Sequence, residues 1–244
     1  MTTTLNYFKT LYQWFFPFTC LLCNFPSQRY ADLCQLCINE LPSLPQTCSR
    51  CANVFTLIQP DHSLVCGECL KNPPPFDNTF ALFSYTHPIT KLIMELKFQQ
   101  KLVNAKVLGE LLADAIQHTW YKTREIPDLV LPVPLHRHRL KERGFNQVIE
   151  ISRPIVKKLK LTMDIKSCQR IKNTLAQAKL SGNARRTNLQ NAFSISRDFS
   201  HCHIAVIDDV ITTGHTMTEF CLALKKAGAS KIDVWCCAKT QLKS

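Results

Sequence analysis

The sequence contains no long uninterrupted hydrophobic run. No apolar stretch among its 244 residues reaches the roughly eighteen residues that a membrane-spanning helix needs, so we expect no membrane span. The N-terminal segment around Phe8, Leu11 and Phe15 has no basic leader and no small-residue cleavage site. This segment therefore predicts a short amphipathic helix and not a secretory signal peptide.

Acidic residues and hydrolase motifs are also scarce. The sequence has neither a Ser–His–Asp order nor a metalloprotease motif, and it has 18 Asp and Glu against 30 Lys and Arg. The basic excess is concentrated in residues 136–186, where fourteen Lys and Arg stand against three acids. A concentrated positive charge indicates a phosphate-rich ligand. Only Phe145 and Phe193 flank the basic run, which predicts few aromatic partners for a nucleic acid base.

Cysteine, in contrast, is abundant. Eight of the thirteen cysteines form four Cys-x-x-Cys pairs before residue 70: Cys20, Cys23, Cys34, Cys37, Cys48, Cys51, Cys66 and Cys69. Such pairs favour zinc in a reducing cytosol over a disulfide scaffold, so we expect a cytoplasmic protein. Because four thiolates fill a tetrahedral site, we expect two structural Zn²⁺ ions.

Two arrangements of the four Cys-x-x-Cys pairs around the two zinc ions are compatible with the spacing. Consecutive pairs give the simplest arrangement, but the ten-residue gap between Cys37 and Cys48 equals the gap between Cys23 and Cys34. An interleaved pairing is therefore an alternative. Asn24 follows the first knuckle, where a left-handed backbone is often required and asparagine tolerates it.

The proline run at residues 73–75 predicts a stiff linker between two domains. We expect an N-terminal helix and double zinc ribbon in residues 1–72, and a second domain in residues 76–244. Hydrophobic periodicity there predicts strands at 80–85, 129–134 and 231–238, and helices around 89–97, 107–115 and 148–159. The alternation indicates an α/β domain with a mostly parallel sheet and flanking helices.

The segment Ile204–Thr216 carries the strongest functional pattern. An apolar strand leads to Asp208 and Asp209, and a loop with hydroxyl side chains and a glycine precedes an amphipathic helix. Backbone N–H groups at such a helix start bind a phosphate, while the two carboxylates accept hydroxyl hydrogens of a ribose. The pattern resembles the phosphoribosyl pyrophosphate (PRPP) loop of type I phosphoribosyltransferases. The resemblance assigns PRPP binding to Asp208, Asp209, Thr212, Thr213, Gly214, His215 and Thr216.

A second phosphate-binding turn is expected one strand earlier. The strand at 129–134 leads into a basic segment containing Arg143 and Gly144, and a helix follows. The alternative is an exposed basic loop. His215 departs from the PRPP pattern, because small residues are usual at its position, and histidine would be strained if a positive φ were required there.

The motifs together resemble the ComF family. Pro-Val-Pro-Leu-His-x-x-Arg, Glu-Arg-Gly-Phe-Asn-Gln, the cysteine pairs and Asp-Asp-Val-Ile-Thr-Thr-Gly support the resemblance. It implies a double zinc ribbon and a phosphoribosyltransferase-like domain. It also implies PRPP bound with Mg²⁺, single-stranded DNA, and partners in the DNA-uptake machinery such as a helicase. The basic lid over PRPP would lie at 170–193, with Lys172, Thr174, Gln177, Arg185 and Arg186.

Two functions follow from the resemblance. The first is a competence-associated protein that binds PRPP and single-stranded DNA during natural transformation. The alternative is a phosphoribosyltransferase that transfers the phosphoribosyl group to an unknown nucleobase-like acceptor. No base-holding hood is apparent in the sequence, so the resemblance assigns no catalytic residue.

Overall fold

The computed structural model describes residues 19–27, 32–55, 64–172 and 191–241. The chain divides into two compact units, Met1–Pro42 and Ser43–Ser244. The first cysteine group lies in the first unit, and the second cysteine group lies in the same unit as the sheet. The sequence-based domain boundary at residues 73–75 stays a prediction. None of the helices in the described residues is long and apolar enough to cross a membrane.

The elements follow each other in an alternating α/β order. In chain order they are α1 (Gln35–Asn39), α2 (Gly67–Lys71), β1 (Asn78–Ser84), α3 (Ile89–Gln99), α4 (Leu102–Ala115) with a π-helical turn (Ile116–Trp120), β2 (Leu129–Pro132), α5 (Arg137–Arg143), α6 (Gln147–Leu159), β3 (Thr162–Met163), β4 (Cys168–Arg170), β5 (Phe193–Ile195), β6 (His203–Ile211), α7 (His215–Lys226) and β7 (Lys231–Lys239).

A five-stranded sheet in the order β1–β7–β6–β2–β3 forms the centre of the second unit. All four strand pairs in it are parallel. The central strand β6 is apolar and buried from Ile204 to Ile207, as expected for a strand covered on both faces. The predicted α/β class with a mostly parallel sheet is confirmed.

Helices α4 and α6 pack closely against each other. A Cβ atom at Gly109 of α4 would overlap the backbone carbonyl of Ile151 and the ring of Pro154 on α6. Glycine is therefore required at this contact, which brings the start of α6 to its place beside the sheet. Asn146 caps α6 with its side chain, which accepts a hydrogen bond from the N–H of Val148 at 2.9 Å.

Two local sequence-based interpretations need correction. The basic segment after His136 is exposed over most of its length, but it is a helix and not a loop: it forms α5, which begins after the cap residue His136 and ends at Gly144 with φ 81°. The strand was expected to end in the acid pair, but β6 continues through both acids to Ile211. Pairing with β7 extends to Ile211, and that long-range pairing is not visible in the local pattern.

Candidate functional site

The eight predicted zinc ligands form two separate groups of four. Cys20, Cys23, Cys34 and Cys37 make up one group, and Cys48, Cys51, Cys66 and Cys69 make up the other. In each group the ligand atoms all lie within 4.8 Å of one another. The Sγ atoms of Cys23 and Cys34 are 3.6 Å apart, and those of Cys51 and Cys66 are 3.7 Å apart. Four sulfurs around a tetrahedral zinc stand about 3.8 Å apart, so consecutive pairing fits zinc and interleaved pairing is excluded.

The two groups are copies of one local structure. In the first knuckle of each group an N–H donates to the carbonyl of the first cysteine at 2.8 Å, from Asn24 to Cys20 and from Ala52 to Cys48. Asn24 and Ala52 both have positive φ, at 61° and 55°, so the expected left-handed residue occurs in both copies. Although burial acts to raise them, backbone N–H donors lower the pKa of Cys20 to about 6 and of Cys48 to about 7. Such donors favour the thiolate form that binds zinc.

The second cysteine group is attached to the edge strand β1. Thr79 donates its N–H to the carbonyl of Ser49 at 2.8 Å and its hydroxyl to the carbonyl of Arg50 at 2.6 Å. Ser49 and Arg50 are the two residues between Cys48 and Cys51, in the first knuckle of this group. The knuckle therefore accepts the N–H of Thr79, a donor that an uncovered edge strand would leave unpaired.

The predicted PRPP loop connects β6 to α7. Its left-handed residue is Gly214, with φ 78°, and His215 is the first residue of the helix. His215 therefore has no backbone strain from a positive φ, because the residue with positive φ in this loop is Gly214. The loop borders a small cavity of about 50 Å³ lined by Asp208, Val210, Ile211, Thr212, Thr213, Gly214, His215, Thr216 and Met217. Lys239 of β7 supports the loop by donating to the carbonyl of Thr212 at 2.7 Å.

The two acids of the site have different surroundings. Asp209 is buried, with 4% of its surface exposed. Its Oδ2 atom lies 2.8 Å from Nζ of Lys97 and accepts a hydrogen bond from Nε2 of Gln147 at 2.8 Å. Arg143 in turn donates to Oε1 of Gln147. Asp209 is thus held by two side chains from helices α3 and α6, and Arg143 is connected to it through Gln147.

Asp208 is half-buried and accepts a hydrogen bond from the N–H of Asp209 at 2.9 Å. Burial and the negative charge of Asp209 raise the pKa of Asp208 to about 7, against the opposing effect of Lys97 and Arg170. A carboxylate in this position is stabilised by hydroxyl donors or by a divalent cation.

Two arginines interact electrostatically with the acid pair, and a third, Arg139, interacts with both of these arginines. The pKa of Arg143 is lowered by burial and by the charge of Arg139, and Asp209 partly offsets this. The pKa of Arg170 is lowered in the same way by burial and Arg139, with Asp208 opposing. Arg139 of α5 therefore acts on both of these partly buried guanidinium groups. Like charges gathered in such an arginine cluster are costly, and Asp208 and Asp209 offset part of that cost.

The structure places the other predicted site residues as follows. Gly144 ends α5 directly after Arg143, and Lys172 is exposed shortly after β4. Strands β4 and β5 pair antiparallel and bracket the predicted lid. Thr174, Gln177, Arg185 and Arg186 lie outside the described residues.

Sequence reasoning missed two residues of the site. Gln147 belongs to the Glu-Arg-Gly-Phe-Asn-Gln motif, so a signal was present. Lys97 carried no signal beyond its place on a helix, because its contact with Asp209 depends on how α3 packs beside β6.

The fold and the site define a class: a protein with two four-cysteine zinc-ribbon sites and a parallel α/β domain that carries an acid pair before a phosphate-type loop. The family model of the double zinc ribbon domain matches residues 11–70. The chain is 32% identical over 226 residues to the DNA utilization protein YhgH of Salmonella typhimurium, covering 92% of this chain and 98% of that protein. It is 33% identical over 227 residues to competence protein F of Haemophilus influenzae, covering 91% and 96%.

The chain belongs to the family of these proteins, which confirms the resemblance stated from its motifs. Among solved structures, one titled as the allosteric regulatory enzyme of purine biosynthesis shares 20% identity with a TM-score of 0.33. The aligned region covers 54% of this chain and 25% of the solved chain. At this TM-score the similarity carries no weight for fold or function.

Proposed function

We propose that this protein binds PRPP at the β6–α7 loop, binds single-stranded DNA through its basic surface, and acts in the cytoplasm during DNA uptake. The relatives are named for DNA utilization and for competence, which supports the cellular role. The observation that carries PRPP binding is the acid pair next to the loop at the start of α7. Partners in the DNA-uptake machinery, such as a helicase, belong to the same proposal.

The start of α7 offers the phosphate ligands. The first bond of this helix runs from the N–H of Thr218 to the carbonyl of Gly214 at 2.8 Å. The N–H groups of residues 215–217 precede it and have no partner within the helix. These donors and the hydroxyls of Thr212, Thr213 and Thr216 would bind the 5′-phosphate. Asp208, with a bound Mg²⁺, and Asp209 would take the ribose hydroxyls.

The arginine cluster supports the pyrophosphate half of PRPP. Arg143 and Arg170 are both partly buried near the acid pair, and the charge of Arg139 acts on both. A pyrophosphate group would neutralise three positive charges that otherwise repel one another. On α5, Arg137 and Lys141 are exposed, so the positive charge continues outward along the surface, where the backbone phosphates of a single strand would bind.

The experiment is calorimetric titration with PRPP and Mg²⁺. Asp208→Asn combined with Asp209→Asn keeps the side-chain shape but removes both negative charges. We expect PRPP affinity to fall at least about ten-fold, because hydrogen bonds to charged groups are worth about 1.5–3 kcal/mol each. Asp114→Asn, an acid on α4 that pairs with Lys158, is the control. Unchanged PRPP affinity in the double variant would remove the central support for this site.

The second candidate function is phosphoribosyl transfer to a nucleobase-like acceptor. The arginine cluster favours it, because buried positive charge stabilises pyrophosphate as it leaves. Turnover of radiolabelled PRPP in the presence of a panel of free nucleobases tests it. Release of labelled product that is lost in the Asp208→Asn, Asp209→Asn variant would establish the transferase. PRPP binding without turnover favours the binding function.

A further inference from the structure

An exposed aromatic ring lies beside the proposed phosphate site. Phe98 is near the end of α3, directly after Lys97, and 68% of its surface is exposed. Met94 lies one turn earlier on the same face of the helix and is also exposed, as are Leu102 and Val103 at the start of α4. A single exposed apolar residue is ordinary, but four exposed apolar residues between Met94 and Val103, one of them aromatic, favour a binding surface.

The ring of Phe98 has a cation over its face. The Cζ atom of Arg143 lies 5.8 Å from the ring centroid, which is a cation–π contact. The same guanidinium donates to Gln147, and Gln147 donates to Asp209. Lys97, the neighbour of Phe98, forms the ion pair with Asp209. Phe98 is therefore connected to the acid pair from two directions and lies at the rim of the proposed PRPP site.

We infer that Phe98, together with Arg143, is a stacking platform for a base of single-stranded DNA. This inference rests on the DNA binding proposed above and adds the position at which a base is held. Single-strand binding proteins combine an aromatic face with arginine and a positively charged path for the backbone. Here Arg143 supplies the cation, and Arg137 and Lys141 on α5 continue the positive charge.

The openness of the platform identifies a base in a strand as its occupant. A free nucleobase needs an enclosed site that buries most of its surface, whereas Phe98 is mostly exposed. The aromatic residues noted in the sequence do not offer such a face. Phe193 is buried and packs on Phe220 with ring centroids 4.8 Å apart. Phe145 is only partly exposed. The stacking residue comes from α3, and it stands 45 residues before Arg143 in the chain.

The test separates stacking on bases from binding to phosphates. Fluorescence anisotropy compares a labelled oligothymidylate with an abasic strand of the same length, using the full zinc-loaded chain. Phe98→Ala should lower affinity for oligothymidylate about ten-fold and leave affinity for the abasic strand unchanged. Phe98→Trp should retain the wild-type affinity for both strands. Phe25→Ala, which removes a phenylalanine that is 72% exposed in the first unit, is the matched control and should change neither.

Each outcome decides the inference. If the wild-type protein binds both strands with equal affinity that falls with salt, DNA binding stands and the platform is wrong. If the wild-type protein binds neither strand at low salt, DNA binding itself is wrong and the platform falls with it. Equal losses for both strands in Phe98→Ala would show a disturbed surface instead of lost stacking, and circular dichroism of the variant would show whether its fold is retained.

Discussion

Replacing Lys97 with methionine removes the cation that faces the buried carboxylate of Asp209. Nζ of Lys97 lies 2.8 Å from Oδ2 of Asp209, and their side chains are 19% and 5% exposed. Methionine keeps most of the apolar stem of the lysine, so the change is mainly one of charge. The variant leaves Asp209 buried next to Asp208, with Gln147 as its remaining side-chain donor.

The size of the effect follows from this burial. Removing one partner of a buried ion pair costs about 3–5 kcal/mol. Because Gln147 still donates to the same oxygen, we expect the lower end, about 3 kcal/mol in the free energy of unfolding. For a unit of this size, such a loss lowers Tm by about 6–12 °C.

Thermal unfolding followed by circular dichroism measures the effect. Lys91→Met is the matched control, because Lys91 is an exposed lysine on the same helix, and its loss should change stability by less than about 0.5 kcal/mol. Adding Asp209→Asn to Lys97→Met should restore part of the lost stability, because no unpaired buried charge then remains. If Lys97→Met is no less stable than Lys91→Met, the ion pair does not hold Asp209 and the reasoning is refuted.

Two further predictions concern the zinc sites and the response to acid. Elemental analysis of protein purified without chelator should give about two Zn²⁺ per chain, and Cys51→Ser should reduce this to about one; reduced, folded protein without zinc would contradict the ribbon assignment. Burial acts to raise the pKa of Asp164, but hydrogen bonds from Ser167, Lys166 and Arg197 outweigh it and lower the pKa to about 2. The resulting stability is fully present above about pH 4 and is lost as the pH falls toward 2. Asp164→Asn should therefore cost about 2 kcal/mol at neutral pH, and urea unfolding should show that its deficit relative to the wild type shrinks below pH 4. A deficit that does not change with pH would contradict this origin.

The zinc ribbons illustrate what could and could not be predicted. The ligands were identifiable because the two cysteines of each knuckle are neighbours in the chain, and in two of the four knuckles a left-handed residue follows them directly. Which knuckles share a metal was not identifiable, because equal gaps of ten residues allow two pairings. Only the positions of the sulfurs in space exclude the interleaved one.

The strands show the same division. Strands β2, β6 and β7 were predicted because long apolar runs report burial on both faces. The two- and three-residue strands β3, β4 and β5 are too short to produce such a pattern. They are strands because of the partners they meet, as β3 does beside β2 and β4 beside β5.

By itself, the sequence determined the cysteine knuckles, the α/β alternation and the strand, loop and helix that carry the acid pair. Each of these features depends on residues that are close together in the chain, so the local sequence pattern is enough to specify it. Only the tertiary structure decided that Lys97 forms an ion pair with Asp209 and that the guanidinium of Arg143 lies over the ring of Phe98. These contacts join α3 to β6 and α5, and no local pattern encodes them because they depend on how the helices pack around the completed parallel sheet.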